Sequence, residues 1–485
     1  MSVTDRYEPV IGLEIHAELL TDSKMFCGCR VVDSVEALPN SAVCPVCLGM
    51  PGMLPVINER AIEYALRVAL ALNCEIQLYN IFARKSYFYP DLPKAYQISQ
   101  YELPLARNGW LDVETADGTV SRIRIRRVHM EEDTGKLTHL ENGGSLVDYN
   151  RSGVPLLEIV TEPDVRSGEE ARIFTSNVRR ILRYLGVNSG DMEKGVLRVE
   201  PNISIRPVGS ETLGTRTELK NLNSFRALAD GTDFEIRRQA AVLDAGEQVV
   251  QETRGWHDTR RETFSQRVKE EADDYRYFAE PDLPPLLLEE IWTAEIAAGL
   301  PELPEQKIAR YQSEFDLPAY DAVVLAEDRE VAGFFEACVA AGGDPKTMAN
   351  WMINDLFALM NEHKLAIDSL RFGPQELVAL GRLVGDGSIS SSAAKTVLAD
   401  MFATGKAAET IVSERGLAQI SDEAALAAVI TDILIAHEQE ALDYQEGNEK
   451  LLGWFVGQVM RATSGQANPA LAKRLLATRL AAWPD

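Results

Sequence analysis

The 485-residue chain reads as an α+β protein in which a mixed domain with a largely antiparallel sheet is followed by an all-helical domain and a small helical tail. Three observations carry this reading. Up to about residue 290, short apolar runs of period two alternate with turn signals. VIGLEIHAEL, SRIRIRRV, PLLEIVTE, LRVEPNISIRP and TRTELKNL are the strand-like segments. Between them, NERAIEYALRVALALN and EEARIFTSNVRRILRYLG repeat apolar residues at three and four, the spacing of a helix packed on one side. Beyond PDLPP, Pro281 to Pro285, which suits neither period, alanine and leucine recur at helical spacing in EDREVAGFFEACVAA, MANWMINDLFALM, PQELVALGRLV and SSAAKTVLADMFA. A weaker break falls near ERGLAQISDE. The expected domains are therefore 1–292, 293–408 and 409–485, in keeping with a prior of roughly three domains for this length.

Composition narrows the function classes. Hydrophobic residues at 46% and charged residues at 25% are ordinary globular values and give no case for wholesale disorder. The opening MSVTDRYEPV has no signal-peptide core, and nowhere do about eighteen apolar residues run together. A soluble, cytoplasmic protein with no membrane partner is expected. The net charge of −25 argues, taken alone, against a nucleic-acid partner, and no DNA partner is expected, because phosphate binding rests on lysine and arginine. Local charge differs, since residues 450 to 484 contain Lys450, Arg461, Lys473, Arg474 and Arg479 and no acidic residue. Such an end can dock a polyanion through phosphate-type contacts.

Six cysteines in a reducing compartment are thiols or metal ligands before they are disulfides. Cys27, Cys29, Cys44 and Cys47 form a C-x-C, fourteen residues, C-x2-C arrangement close to that of zinc ribbons and knuckles. Four thiolates fill a tetrahedral shell, so zinc held there would be structural. Cys74 and Cys338 read as small core residues.

Strand alternation arranges the charges. In VIGLEIHAEL it sends Ile11, Leu13, Ile15 and Ala17 to one side and Glu14, His16 and Glu18 to the other. LRVEPNISIRP puts Arg198, Glu200, Asn202, Ser204 and Arg206 on one face, and TRTELKNL does the same for Arg216, Glu218 and Lys220. A hairpin would join these rows into a surface suited to nucleotide phosphates and a metal, although cross-strand ion pairs on a solvated face have the same pattern. Glu158 lies within the apolar run VPLLEIV, where an unpaired carboxylate is costly. HMEEDTGK concentrates Glu131, Glu132 and Asp133, whose repulsion magnesium would relieve. No Walker loop, kinase signature or nucleophile elbow is present, and no constellation for hydrolysing glutamine stands out.

VIGLEIHAEL, CPVCLGMPGMLPVIN, ARKSYFYPDLPKAYQISQYE, VHMEEDTGKL, DYNRSGVPLLEIVTEPD, GTRTELKNLNSF and GWFVGQVMRATSGQANP, in this order from near residue 8 to near residue 480, resemble the signature segments of the B subunits of Asp/Glu-tRNA amidotransferases. The resemblance implies a cradle-shaped N-terminal domain, a helical domain and a tRNA-binding tail. It implies a heterotrimer with two protein partners, a glutaminase (amidase) and a small clamping protein, and Glu-tRNA(Gln) or Asp-tRNA(Asn) as substrate. Its magnesium and kinase site would fall at Glu14 and His16, at the pair Glu131 and Glu132, and at Glu218, with Glu158 and Glu200 as further ligand candidates. Glu200 stands where the family more often has aspartate. Tyr87 and Lys94 would lie beside the substrate, and the four cysteines match a zinc knuckle that some but not all members keep. The mechanism this implies is phosphorylation of the mischarged carboxylate by ATP and magnesium, with Arg198, Arg216, Lys220 or Lys94 stabilising the moving phosphoryl group. Two rivals remain at this level. One is a non-catalytic tRNA-binding scaffold, and the other is a zinc hydrolase, which needs an open coordination position.

Overall fold

The computed structural model describes residues 3–140, 143–268, 275–419, 423–463 and 465–483, in two compact units, Met1–Pro304 and Glu305–Asp485. The first unit is built on a nine-stranded sheet. Its strands are β1 (Tyr7–Glu18), β2 (Glu75–Ile76), β3 (Ala106–Glu114), β4 (Val120–Glu132), β5 (Pro155–Thr161), β6 (Leu197–Pro207), β7 (Thr217–Lys220), β8 (Glu252–His257) and β9 (Glu262–Val268). They lie side by side in the order β9, β8, β7, β6, β1, β5, β4, β3, β2. Every neighbouring pair is antiparallel except β7 with β8. The largely antiparallel sheet of an α+β fold is therefore observed, with one parallel junction.

β1 is central because it is the long strand whose two neighbours both pair with it over its C-terminal half. Glu14, Ile15, His16 and Ala17 face Val160, Ile159, Glu158 and Leu157 of β5 on one side, and Glu200, Val199, Arg198 and Leu197 of β6 on the other. Directly opposed residues share a sheet face. Leu13, Ile15, Ala17, Leu157, Ile159, Val199, Val128 and Met130 thus form one apolar face, and all are buried. Apart from Ala17, each of these side chains contributes about 1.5–3 kcal/mol when fully buried, which leaves the register of β1 little freedom to slip.

Three long helices contribute to this core: α1 (Glu59–Ala71), α2 (Gly168–Tyr184) and α3 (Phe225–Asp244). Each starts at a side-chain cap that satisfies the first free amides: Asn58 accepts from Arg60 and Ala61, Ser167 from Glu170, and Ser224 from Ala227. Ile62 and Leu66, Phe174 and Val178, and Leu228 and Ile236 lie in the same buried cluster as the sheet residues. A small sheet of Ala83–Ser86, Tyr96–Ser99 and Phe278–Ala279 meets the end of β4, where the Gln97 side chain donates to the Glu132 carbonyl.

The second unit is helical throughout its regular structure and contains two separate apolar cores, one between Tyr311 and Val412 and one between Leu426 and Leu480. Lys450, Arg461, Lys473, Arg474 and Arg479 are all exposed. Cys74 and Cys338 are buried and free. Among the described residues, no helix is long and apolar enough to cross a membrane.

Candidate active site: two carboxylate clusters on one sheet face

The face of the sheet turned away from the core collects the polar row of each central strand. Two groups of ligand-type side chains converge on it. His16, Glu131 and Glu158 bring their ligand atoms within 4.8 Å of one another, and so do Glu14, Glu200 and Glu218. Glu14 and His16 are two residues apart on β1, so the clusters lie side by side at about 7 Å, twice the rise of a strand residue.

In the first cluster, His16 Nε2 is 3.5 Å from Glu158 Oε2 and 3.6 Å from Glu131 Oε1, and His129 Nε2 is 3.0 Å from the same Glu158 oxygen. Burial alone would raise the Glu158 carboxyl, but the imidazoles of His129 and His16 hold it well below the usual range. Burial likewise opposes charge on His16, yet Glu158 and Glu131 push its pKa up to about 9. In the second cluster, Asn202 Nδ2 donates to Glu14 at 3.0 Å, Lys220 Nζ to Glu200 at 2.8 Å and Thr253 Oγ1 to Glu218 at 2.9 Å. Burial and the neighbouring Glu158 and Glu218 raise the Glu14 carboxyl. A site whose carboxylates repel one another in this way favours a divalent cation. Two orphaned buried acceptors agree with that: Glu131 Oε2 and Asn202 Oδ1 have no hydrogen-bond partner among the described residues.

Beyond His16 on β1, Glu18 meets Asp133. Burial and the Asp133 carboxylate push Glu18 up to about 8. Asp133 is also buried, but Arg151 and Arg198 hold it below its ordinary range, Arg198 Nη2 at 2.8 Å and Arg151 Nε at 3.6 Å.

Not every residue expected here is brought together. Glu14, His16, Glu131, Glu158, Glu200, Glu218, Arg198 and Lys220 share the face. Glu132 does not, because alternation along β4 turns it to the side opposite Glu131. There it pairs with Lys94 at 2.6 Å and accepts from the Ile98 amide at 3.0 Å. Lys94 and Glu132 instead line a separate cavity of about 190 Å³ with Phe26, Cys27, Cys47 and Met50. Arg216 precedes β7 and is exposed, outside the strand row it was expected to join. Tyr87 stands between Tyr89 and Tyr275, with ring centroids at 5.8 and 6.2 Å. His129 and Thr253 belong to the face, Lys85 of the small sheet comes near its Glu131 and Glu158, and none of the three was singled out from sequence. For His129 a signal existed, since it lies two residues before Glu131 on a period-two strand. For Thr253 and Lys85 there was none: the parallel pairing of β8 with β7 brings Thr253 there, and Lys85 comes from the separate three-stranded sheet.

The four cysteine sulfurs of 27, 29, 44 and 47 also lie within 4.8 Å of one another, with Cys44 and Cys47 Sγ 3.9 Å apart. A tetrahedral shell with metal–sulfur bonds of about 2.3 Å has sulfur–sulfur edges of about 3.8 Å, so the residues fit such an ion. Cys47 is held down to about 4 by the hydrogen bond from Cys27 and by the Cys44 amide, against its burial. Lys24, fully buried, places its ammonium 3.7 Å from Cys47 Sγ and 3.2 Å from the Tyr149 carbonyl. A cation there offsets the net negative charge of a divalent ion with four thiolates. Gly153, at φ +85°, closes the turn beneath, where an added Cβ would meet Cys47 at 3.4 Å and Lys24 at 3.5 Å.

His16 makes the stability of the metal-free protein depend on pH. Its folded value near 9 exceeds the ordinary 6.5, so its contribution is fully present below about pH 6.5 and is lost as pH rises through about 9. Urea unfolding in chelator between about pH 6 and pH 10 is expected to show that decline, reduced in a His16→Gln protein. An identical decline in both would remove the assignment.

A family model described as the GatB/GatE catalytic domain matches residues 9–294, and one described as the GatB domain matches residues 333–480. Full-length relatives agree. The chain is 50% identical over 471 residues to the B subunit of the aspartyl/glutamyl-tRNA(Asn/Gln) amidotransferase of Thermodesulfovibrio yellowstonii, covering 97% of this chain and 98% of that one. It is 51% identical over 475 residues to the protein of the same name from Thermoanaerobacter sp. (strain X514), covering 98% and 99%, and 51% identical over 477 residues to that of Moorella thermoacetica, covering 98% and 100%. The chain belongs to the GatB family of amidotransferase B subunits.

Proposed function

We propose that this chain is the amide-forming subunit of a cytoplasmic tRNA-dependent amidotransferase. It uses ATP to phosphorylate the side-chain carboxylate of glutamate or aspartate mischarged on tRNA(Gln) or tRNA(Asn), and passes the acyl phosphate to ammonia from a glutaminase partner, with a small third protein completing the assembly. The observation that carries this is the pair of three-ligand clusters on one sheet face.

Ammonia does not displace an oxygen from a carboxylate at a useful rate, so the oxygen must first be made a leaving group. The substrate carboxylate oxygen attacks the γ-phosphorus of ATP and the bond to the bridging oxygen breaks, releasing ADP. Ammonia then attacks the carbonyl carbon, the carbon–oxygen bond to phosphate breaks, and inorganic phosphate leaves with loss of one proton from nitrogen. Glu14, Glu200 and Glu218, or His16, Glu131 and Glu158, would hold magnesium. When bound, that ion supplies charge neutralisation on the phosphate oxygens. Lys220 stands at the open edge of the second cluster, tied to Glu200 at 2.8 Å and 3.8 Å from Glu218, and orients the phosphates of the nucleotide. Arg198 has a different role from the one its sequence position suggests: bonded to Asp133, it braces the end of β4 next to Glu131. His129 holds Glu158. The site works by placement and electrostatics, with no covalent enzyme intermediate.

The four cysteines hold a structural zinc in this reading, since a closed thiolate shell leaves no position for water. The three-part division at 1–292, 293–408 and 409–485 assigns the chemistry to the first part and tRNA docking to the exposed basic residues of the last. The assembled complex, given γ-labelled ATP, magnesium and mischarged tRNA but no ammonia source, is expected to transfer label to the aminoacyl group. Absence of label and of tRNA-stimulated ADP release would leave the chain a scaffold.

A further inference from the structure

The cations on the polar face differ in one respect. Lys220 is tied to Glu200, Arg198 to Asp133, and Lys94, on the other side, to Glu132. Lys85 and Arg127 are not tied to any carboxylate among the described residues. Lys85 lies on Ala83–Ser86, opposite Gln97, with its ammonium 5.1 Å from the Tyr275 ring centroid. It faces Glu131, Glu158, Tyr277 and Tyr275, and although burial opposes its charge, these neighbours raise its pKa. Arg127 is two residues before His129 on β4 and so points to the same face. Its guanidinium lies 5.6 Å from the Tyr101 ring centroid, and its Nε is buried with no hydrogen-bond partner among the described residues. Tyr277, stacked on Tyr101 at 4.3 Å, has both cations and both Glu131 and Glu158 as electrostatic neighbours. The two cations therefore flank one tyrosine at the rim of the His16, Glu131 and Glu158 cluster.

A half-buried guanidinium with an orphaned donor calls for an acceptor. Carboxylates are near enough to sense Lys85 but do not bond it, so the acceptor is not supplied by the described side chains. We propose that Lys85 and Arg127 form a subsite for a phosphoryl dianion, which holds the phosphate of the acyl-phosphate intermediate beside the first carboxylate cluster, with Tyr101, Tyr275 and Tyr277 as its wall. This rests on the reading of the chain as the phosphorylating subunit. It adds two cations to the machinery and moves the role expected of Lys94 to Lys85. The subsite fits the order of events: the phosphoryl group arrives from ATP on one side, and phosphate leaves after ammonia has formed the carbon–nitrogen bond. Two donors fixed in place stabilise a developing dianion without reorganisation.

The test uses the assembled complex with Lys85→Met, Lys85→Arg, Arg127→Gln and Arg127→Lys, read as ADP release and label transfer with mischarged tRNA and no ammonia source. Lys85→Met and Arg127→Gln are each expected to lower kcat by about 10²-fold, the typical loss of one oxyanion donor, with KM for mischarged tRNA within about threefold. The charge-keeping variants are expected to recover a tenfold part of that loss. Inorganic phosphate should inhibit the wild-type complex as a product, and at least about tenfold less strongly the neutral variants, the ratio of a lost charge-assisted hydrogen bond. Unchanged kcat and unchanged phosphate inhibition in both neutral variants would overturn the proposal. So would a raised KM for tRNA at unchanged kcat, which would make the pair a contact to a tRNA phosphate, or an equal loss in Lys85→Arg and Lys85→Met complexes of wild-type melting temperature. If a neutral variant fails to assemble, the charge-keeping variant at the same position decides: recovery of kcat supports the subsite and its loss refutes it. A wild-type complex that releases no ADP would count against the phosphorylating reading itself, before any variant is compared.

Discussion

Replacing Glu218 with glutamine in the assembled complex is expected to lower ATP-dependent phosphorylation of mischarged tRNA by at least about 10³-fold. The side chain is buried, shares its cluster with Glu14 and Glu200, and is oriented by the Thr253 hydroxyl at 2.9 Å. Glutamine keeps the volume but removes the negative charge and puts a donor where a cation would sit. Loss of several kcal/mol of charge stabilisation at a metal site corresponds to about three powers of ten in rate. Removing one of three converging carboxylates also relieves repulsion, so the fold is expected to hold or gain slightly. The pairing of an intact melting temperature with lost phosphoryl transfer separates chemistry from folding. Wild-type transfer by this variant, at saturating magnesium, would show that the second cluster is not the kinase centre.

The second large effect concerns the cysteine cluster. A protein with Cys44→Ser and Cys47→Ser is expected to lose bound metal, to melt several degrees lower, and to be cut first between residues 30 and 56 in limited proteolysis. Residues 31 to 58 contain no helix or strand, so besides hydrogen bonds from Asn40 and Ala42 to Asp148 and Asn150 and the Lys194–Asp33 pair, the sulfur cluster is a main anchor of this segment. Lys24 adds to the loss, because its buried ammonium, 3.2 Å from the Tyr149 carbonyl, loses the thiolate charge beside it. Phosphoryl transfer per folded complex should persist. Elemental analysis finding no metal in the wild-type protein, with unchanged melting in the variant, would remove the structural zinc; loss of chemistry at full stability would favour a catalytic one.

These expectations differ in how far sequence alone reached them. The α+β class, the apolar and polar faces of β1, and the shared face of Glu14 and His16 follow from a period of two within a few residues. So does the row of Arg198, Glu200 and Asn202. The spacing of the four cysteines announced a metal-type cluster for a related reason: a short C-x2-C turn has few ways to place its sulfurs. The pairing of β6 with β7, which sets Asn202 opposite Glu218, was also legible, because only a short glycine-bearing connection separates the strands.

Adjacency in sequence misled at Glu131 and Glu132. On a strand, neighbours point to opposite faces, and so Glu132 was carried with Lys94 to a cavity beside the cysteines while Glu131 joined His16. Arg216 was lost to the row because β7 begins one residue after it. The helix α3 and the parallel partner β8, which brings Thr253 to Glu218, had no sufficient local signal.

By itself, then, the amino-acid order determined which side chains share a strand face, where helices replace strands, and that four thiols stand close together. All of these are set by backbone geometry over fewer than about twenty residues. Only the tertiary structure decided which strands are neighbours, that β5 and β4 bring Glu158, His129 and Glu131 to His16, and that among the described residues Lys85 and Arg127 are tied to no carboxylate while Lys94 is tied to Glu132. The physical reason is that such pairings depend on burying one apolar face against helices drawn from distant parts of the chain, a non-local free energy that no short window of sequence contains.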